Sequence, residues 1–171
     1  METQKNIDLA AYTGRWYEYA KDHSIPYELF GDCITATYGA YSEGSDVDIT
    51  VDNREFFWPI FSYIELNACA RCNPEDGRCG VTRCGSEYLE SAVMNYDILE
   101  TDYENYSVVY SCTPRLWGLA TDEAVWVLTR EPSLNDDLFE RAESKIKEIL
   151  PNYGWWWFKT KGRQGDSCSY S

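Results

Sequence analysis

The stretch Gly14-Arg15-Trp16-Tyr17, answered far downstream by Thr101-Asp102-Tyr103 and then by Arg130 just before the last helical run, decides how this chain folds. A Gly-X-Trp on a first strand lays a large indole across the end of a small β-barrel, beside a glycine that permits close backbone approach. An arginine leaving the last barrel strand can stack its planar guanidinium on that indole while donating to nearby carbonyls. The Thr-Asp-Tyr turn reverses the chain between two strands, its short polar side chains bonding local backbone amides. Gly14, Trp16, Thr101, Asp102, Tyr103 and Arg130 are therefore read as the structural floor of a barrel.

Working outward, alternating runs bounded by turn residues predict strands over 14–20, 33–42, 47–54, 60–68, 86–93, 96–101, 106–112 and 124–129. Eight antiparallel strands make an up-and-down barrel wide enough for one small ligand. Pro132-Ser133 opens one helix, with Ser133 and Asp136 spaced as a capping box, and Pro151 stops it. Leu138, Phe139, Ala142, Ile146, Ile149 and Leu150 fall on one helical face, which predicts packing against the outside of the barrel. After the helix, Trp155-Trp156-Trp157-Phe158 reads as a short ninth strand.

The chain of 171 residues is one domain, 1–171, with no second core. It has 44% hydrophobic and 16% aromatic residues, with seven Trp and fourteen Tyr, so it is not a disordered composition. The 29 acids against 15 bases give −14, which argues against nucleic acid and anionic membrane surfaces as general partners. Solubility is the plain account of that charge; attraction of a cationic ligand is the sharper one. No stretch approaches a membrane span, and Met1-Glu2-Thr3-Gln4 lacks signal-peptide character. That fits either a mature form with an added Met or a leaderless protein. Seven cysteines favour the first, and with it an oxidising, extracellular setting.

The order and spacing of the three motifs resembles the lipocalin family. The stretch Ile98-Leu99-Glu100-Thr101-Asp102-Tyr103-Glu104-Asn105-Tyr106, continuing to Tyr110-Ser111-Cys112, resembles the branch that holds insect bilin-binding proteins, crustacyanins and apolipoprotein D. The resemblance implies loops alternating between an open mouth (21–32, the turns at Phe56-Phe57-Trp58-Pro59 and Met94-Asn95, and 114–123) and a closed floor (42–46, 69–85 and 103–105). It also implies a disulfide between Cys33 and Cys168. Cys69, Cys72, Cys79 and Cys84 form C-x2-C-x6-C-x4-C, which is read as two local disulfides in preference to a small zinc site. Cys112 is left over, as a buried thiol or a link to a ligand or second subunit.

A closed barrel must fill its interior or hold a guest, and aromatic side chains serve either purpose. Ile34, Ala36, Tyr38 and Ala40 share a face of the second strand, where small alanines leave room if they face inward. On the seventh, Tyr106, Val108 and Tyr110 oppose Ser107, Val109 and Ser111. Candidate ligand contacts are Phe30, Tyr38, Phe56, Trp58, Tyr63, Tyr88, Tyr96, Tyr110, Trp117 and Trp126; taken individually, core or lid packing is the preferred account of most of them. As a group they suit a large, flat, conjugated guest, and their tips could equally pair copies of the chain into a homo-oligomer through the mouth loops.

The resemblance implies a hydrophobic chromophore as guest, a linear tetrapyrrole such as biliverdin or a carotenoid such as astaxanthin, carried by a secreted protein. Lys21, Arg54 and Arg115 near the expected mouth could meet propionates, Asp52 or Glu55 could face pyrrole N–H groups, and His23 could touch a polar ligand end; solvated loop charges are the plain account of each. The alternative is a carrier or scavenger of another small amphiphile: lipid, retinoid, steroid or biogenic amine. Catalysis is not expected. The single His supports no metal cluster, no nucleophile elbow or phosphate loop is present, and Cys112 would be the one sensible nucleophile.

Overall fold

The computed structural model describes residues 2–22, 31–39, 49–84, 93–115, 120–133 and 135–170. Among these, the strands are β1 (Gly14–Asp22), β2 (Gly31–Tyr38), β3 (Ile49–Phe57), β4 (Ser62–Asn73), β5 (Arg78–Thr82), β6 (Tyr96–Thr101), β7 (Tyr106–Arg115), β8 (Ala120–Thr129) and β9 (Lys159–Lys161). Each of β1 to β7 pairs antiparallel with the next, and β1 closes the ring by pairing with both β2 and β8. This is a closed eight-stranded barrel, with β9 added outside along Ala20 to Asp22.

One side chain sets which residues face inward. Trp16 is fully buried in the lumen floor, and successive strand residues point to opposite faces. Its partner Ala36 therefore faces inward, as do Asn53 opposite Ala36 and Leu66 opposite Asn53. Thr37, Asp52 and Asn67, one residue along, face out. The same propagation through Val109 and its partner Trp126 turns Tyr110 and Val125 outward.

Two apolar layers follow. The inner one gathers Trp16, Tyr38, Val51, Ile98, Val109, Trp126 and Leu128. The outer one gathers Ala20, Leu99, Tyr106, Val108, Val127, Phe139, Ala142, Ile146 and Trp155, where helix α2 (Asp136–Ile149) lies on the wall. A short helix α1 (Leu9–Tyr12), capped by Asp8, leads into β1 and closes the barrel from below.

Four expectations about local structure change. The fifth strand was expected at 86–93, yet β5 runs over Arg78–Thr82; residues 85–92 lie outside the described residues, and Val93 is not in a strand. The reason is a tight hairpin after β4, turned at 74–77 with Gly77 at φ +67° and clamped by a disulfide between the directly opposed Cys72 and Cys79. Second, the floor connection shrinks from 69–85 to that turn. Third, α2 starts behind Asn135, whose carboxamide accepts from the Asp137 N–H at 2.8 Å, and Ser133 stands outside the helix. Fourth, Trp155–Phe158 is one helical turn, α3, and the strand comes after it.

Cys33 and Cys168 are bonded across 135 residues, tying the C-terminal tail to β2. Cys69 bonds Cys84 and Cys72 bonds Cys79, so the four-cysteine cluster is two local disulfides. Cys112 is a free, half-buried thiol.

A cup with a hydroxyl-lined base as the candidate functional site

The floor is built around Arg130. Its guanidinium carbon lies 3.7 Å from the centre of the Trp16 ring. Its Nε donates to the Tyr103 carbonyl at 2.8 Å, Nη1 to those of Thr13 (2.9 Å) and Arg15 (3.2 Å), and Nη2 to those of Ala11 (2.9 Å) and Tyr12 (3.4 Å). One fork thus ties α1, the start of β1 and the β6–β7 turn to each other. Gly14 at φ +96° makes room: a Cβ there would sit 3.2 Å from Arg130 Nη1. Trp16 donates its own indole N–H to the Tyr12 carbonyl at 2.9 Å.

Across the turn, Asp102 Oδ1 accepts the N–H groups of Glu104, Asn105 and Tyr106. Burial pushes the Asp102 carboxyl up, but the bonds from Tyr106, from the Asn105 side chain and backbone, and from Glu104 outweigh it and hold the group below the usual carboxylate range. Thr101 accepts from the Tyr103 N–H at 3.0 Å and donates to the Tyr106 carbonyl at 3.0 Å.

Above the floor four hydroxyls form a line. Ser107 and Tyr12 meet at 3.1 Å, Tyr12 and Tyr96 at 3.4 Å, and Tyr96 and Tyr38 at 2.6 Å. Burial raises all three phenol pKa values, so the line stays protonated well beyond neutral pH. Over it opens a cavity of about 410 Å³. Its apolar wall is Ile34, Ala36, Val51, Leu66, Val81, Val109, Trp126 and Leu128; its polar groups are Tyr38, Tyr96, Asn53, Asn95, Ser111, Thr113, Glu18 and Glu55. Apolar walls with a few placed polar groups are the general character of small-molecule sites. Lys21, inward-facing after a bulge between Glu18 and Ala20, pairs with Glu18 at 3.0 Å on this wall, and both are buried.

Of the residues singled out from sequence, Tyr38, Tyr96 and Trp126 line the cavity, and Glu55 does so where Asp52 does not. Phe30, Tyr88, Trp117 and His23, and the side chain of Arg115, lie outside the described residues. Five expectations, for Phe56, Tyr63, Arg54, Asp52 and Tyr110, are corrected by strand parity, while Trp58 stands in the turn after β3 at the mouth end and packs on Phe56. Phe56, Trp58 and Tyr63 stack on one another on the outer wall, with ring centres 5.2 and 5.4 Å apart. Arg54 covers Tyr63 at 3.8 Å, and Tyr63 accepts from the Ser169 N–H, so this cluster clasps the C-terminal tail. Asp52 is outside too, accepting from Asn67. Tyr110 lies beneath the helical layer, donating to Glu123 at 2.9 Å with its ring 6.3 Å from that of Tyr153.

Sequence reasoning missed Asn53, Asn95, Glu18, Ser111 and Thr113 as wall residues. Counting by twos from Trp16 reaches Glu18, and from Val109 reaches Ser111 and Thr113. Asn53 follows from its register with Ala36. Asn95 had no such signal, because its place is fixed by bonds of its carboxamide to both backbone groups of Val81.

Comparison with known proteins agrees with this architecture. The sequence profile of the lipocalin-like domain matches residues 7–161. Lazarillo protein of Schistocerca americana is 37% identical over 151 residues, a match covering 84% of this chain and 65% of Lazarillo's own length. Apolipoprotein D of Oryctolagus cuniculus is 36% identical over 149 residues, covering 86% of this chain and 71% of that protein. Among solved structures, insecticyanin from Manduca sexta superposes with a TM-score of 0.77 at 19% identity, covering 100% of this chain and 88% of that one. Lobster apocrustacyanin A1 superposes with a TM-score of 0.71 at 24% identity, covering 94% and 81%. A tryptophan-arginine floor under a lined lumen, matched along nearly its whole length, makes this chain a member of the lipocalin family.

Proposed function

We propose that this chain carries a hydrophobic chromophore, a bilin of the biliverdin type or a carotenoid such as astaxanthin, and that it works outside the cell, giving colour or sequestration. The single observation that supports this most is the lumen itself, a space of about 410 Å³ walled by aliphatic side chains with Tyr38, Tyr96 and Trp126 among them. The likeness to crustacyanin and insecticyanin points the same way. Carriage needs burial and no chemistry. Withdrawing several hundred Å² of apolar ligand surface is worth on the order of 10 kcal/mol gross at roughly 25 cal/mol per Å², part of which ordering consumes. The hydroxyl line at the base would meet a keto or lactam oxygen.

A second reading, carriage of another small amphiphile such as a lipid, retinoid, steroid or biogenic amine, draws on the likeness to apolipoprotein D. An absorption spectrum with intact-mass analysis of protein from its source separates the two. The chromophore reading expects visible absorbance that travels with the polypeptide, with a bilin or carotenoid mass released on denaturation. Colourless protein releasing a different amphiphile would replace it with the second reading.

Pairing of copies belongs to the same proposal. Trp58, Ile60 and Phe61 are 43%, 58% and 74% exposed in the connection between β3 and β4, at the mouth end. Such a surface supports association through the mouth. Sedimentation of the wild type against Phe61→Ser reads it, with loss of the larger species expected in the variant.

A further inference from the structure

The turn that closes the floor carries a motif that ligand carriage does not use. Asn105-Tyr106-Ser107 is the one Asn-X-Ser/Thr triplet in the sequence with X other than proline. We propose that Asn105 is an N-glycosylation site, modified before the barrel floor closes; this rests on the extracellular reading above. In that reaction the Asn105 Nδ2 bonds to C1 of an oligosaccharide carried on a lipid pyrophosphate. The C1–O bond to phosphate breaks, and the pyrophosphate leaves as the amide gives up one proton.

The geometry suits a glycan in the finished fold. Asn105 is exposed, at the turn between β6 and β7. Its Nδ2 donates to Asp102 Oδ2 at 2.9 Å, and its backbone N–H and carbonyl are bonded to Asp102 and to the Arg130 N–H. A glycosylated amide nitrogen keeps one N–H, which is all the bond to Asp102 requires. The turn lies at the opposite end of the barrel from the mouth, so a sugar there leaves the way to the cavity clear.

The same geometry fixes the order of events. Recognition of the triplet needs the Ser107 hydroxyl, and in the folded protein that hydroxyl is fully buried, bonded to Tyr12 at 3.1 Å. Tyr106 and Ser107 are locked in β7, with Ser107 opposite Leu128. A transferase can therefore read this triplet only in a chain whose β7 has not yet joined β8.

The test supplies the secretory route. The full chain behind a cleavable signal peptide is expressed in a eukaryotic cell, and its mass is measured in medium and lysate together, before and after peptide-N-glycosidase. One oligosaccharide on the wild type is expected, removed by the enzyme to leave aspartate at 105, and absent from both Asn105→Gln and Ser107→Ala. An unmodified wild type in a cell that glycosylates a co-expressed reference protein would overturn the assignment, as would a glycan that persists in Asn105→Gln. For the order of events, disulfide-bonded folded protein and its reduced, unfolded form are each offered to the transferase with lipid-linked sugar. Modification of the unfolded form alone is expected, and equal modification of the folded form would overturn that step. Neither outcome touches ligand carriage, which is read separately by the pigment spectrum.

Discussion

Arg130 concentrates much of the fold in one side chain, because its five donor contacts reach three separate parts of the chain around a buried indole. Replacing it with alanine leaves those carbonyls short of a charged donor and uncovers Trp16. Charged hydrogen bonds contribute about 1.5–3 kcal/mol and a desolvated cation–π contact about 2 kcal/mol, not additively, so a loss of about 3 kcal/mol is expected from denaturant unfolding. Arg130→Lys should recover less than half, since an ammonium cannot span the fork. Asp102 gives a second prediction, with a defined sign. Its folded carboxyl has the lowered pKa, so its stabilisation is complete above the unfolded value of about 3.9 and fades as pH falls through the folded one. Stability measured from pH 6 downward should fall less steeply in Asp102→Asn than in the wild type. These floor residues were legible in sequence because their spacing encodes a local geometry. Phe56, Tyr63 and Tyr110 face outward instead, because aromatic character says nothing about which face of a strand a residue occupies.

The elements themselves were legible where hydrophobic period and turn residues agreed, as in β1, β6, β7 and the body of α2. They failed where a tertiary constraint set the boundary. The cross-strand bridges Cys72–Cys79 and Cys69–Cys84 hold β5 close to β4, ahead of the stretch 86–93 expected as the fifth strand, of which 86–92 lie outside the described residues. Asn135 displaces the expected capping box because its side chain reaches the Asp137 N–H. Asn135→Ala should therefore destabilise the protein by about 1 kcal/mol, while Ser133→Ala changes little, as thermal melting of the pair would show. The hydroxyl line joining α1, β2, β6 and β7 makes an alkaline prediction. Tyr12, Tyr38 and Tyr96 have folded pKa values above the unfolded value of about 10, so their contribution is complete below that pH and is lost as pH rises beyond it. Phenolate absorbance should show these three ionising only together with unfolding, and Tyr96→Phe should weaken the line by about 1–2 kcal/mol through its unpaired neighbours.

At the scale of the whole molecule, the ring of strands, the floor and the outer helix leave one consequence that matters for function, a lumen that the described residues wall without filling. That it is hollow could not be read from alternation alone, since inward aromatics pack a core as readily as they line a pocket; the alanines of the second strand hinted at room, and of these Ala36 faces inward while Ala40 lies outside the described residues. Its polar composition was only partly legible: parity with Trp16 points to Glu18, while Lys21, Asn53 and Asn95 are placed by a bulge, a register and a backbone clasp. The direct measurement is a titration of ligand-free protein with biliverdin and, separately, astaxanthin, following tryptophan emission and induced visible circular dichroism in the wild type, Tyr96→Ala and Trp126→Ala. Saturable one-to-one binding of one pigment, with an induced signal and affinity weakened about tenfold or more in each variant, is expected. Absence of saturable binding for either pigment, or binding that both variants leave untouched, would contradict the claim that this lumen holds the guest.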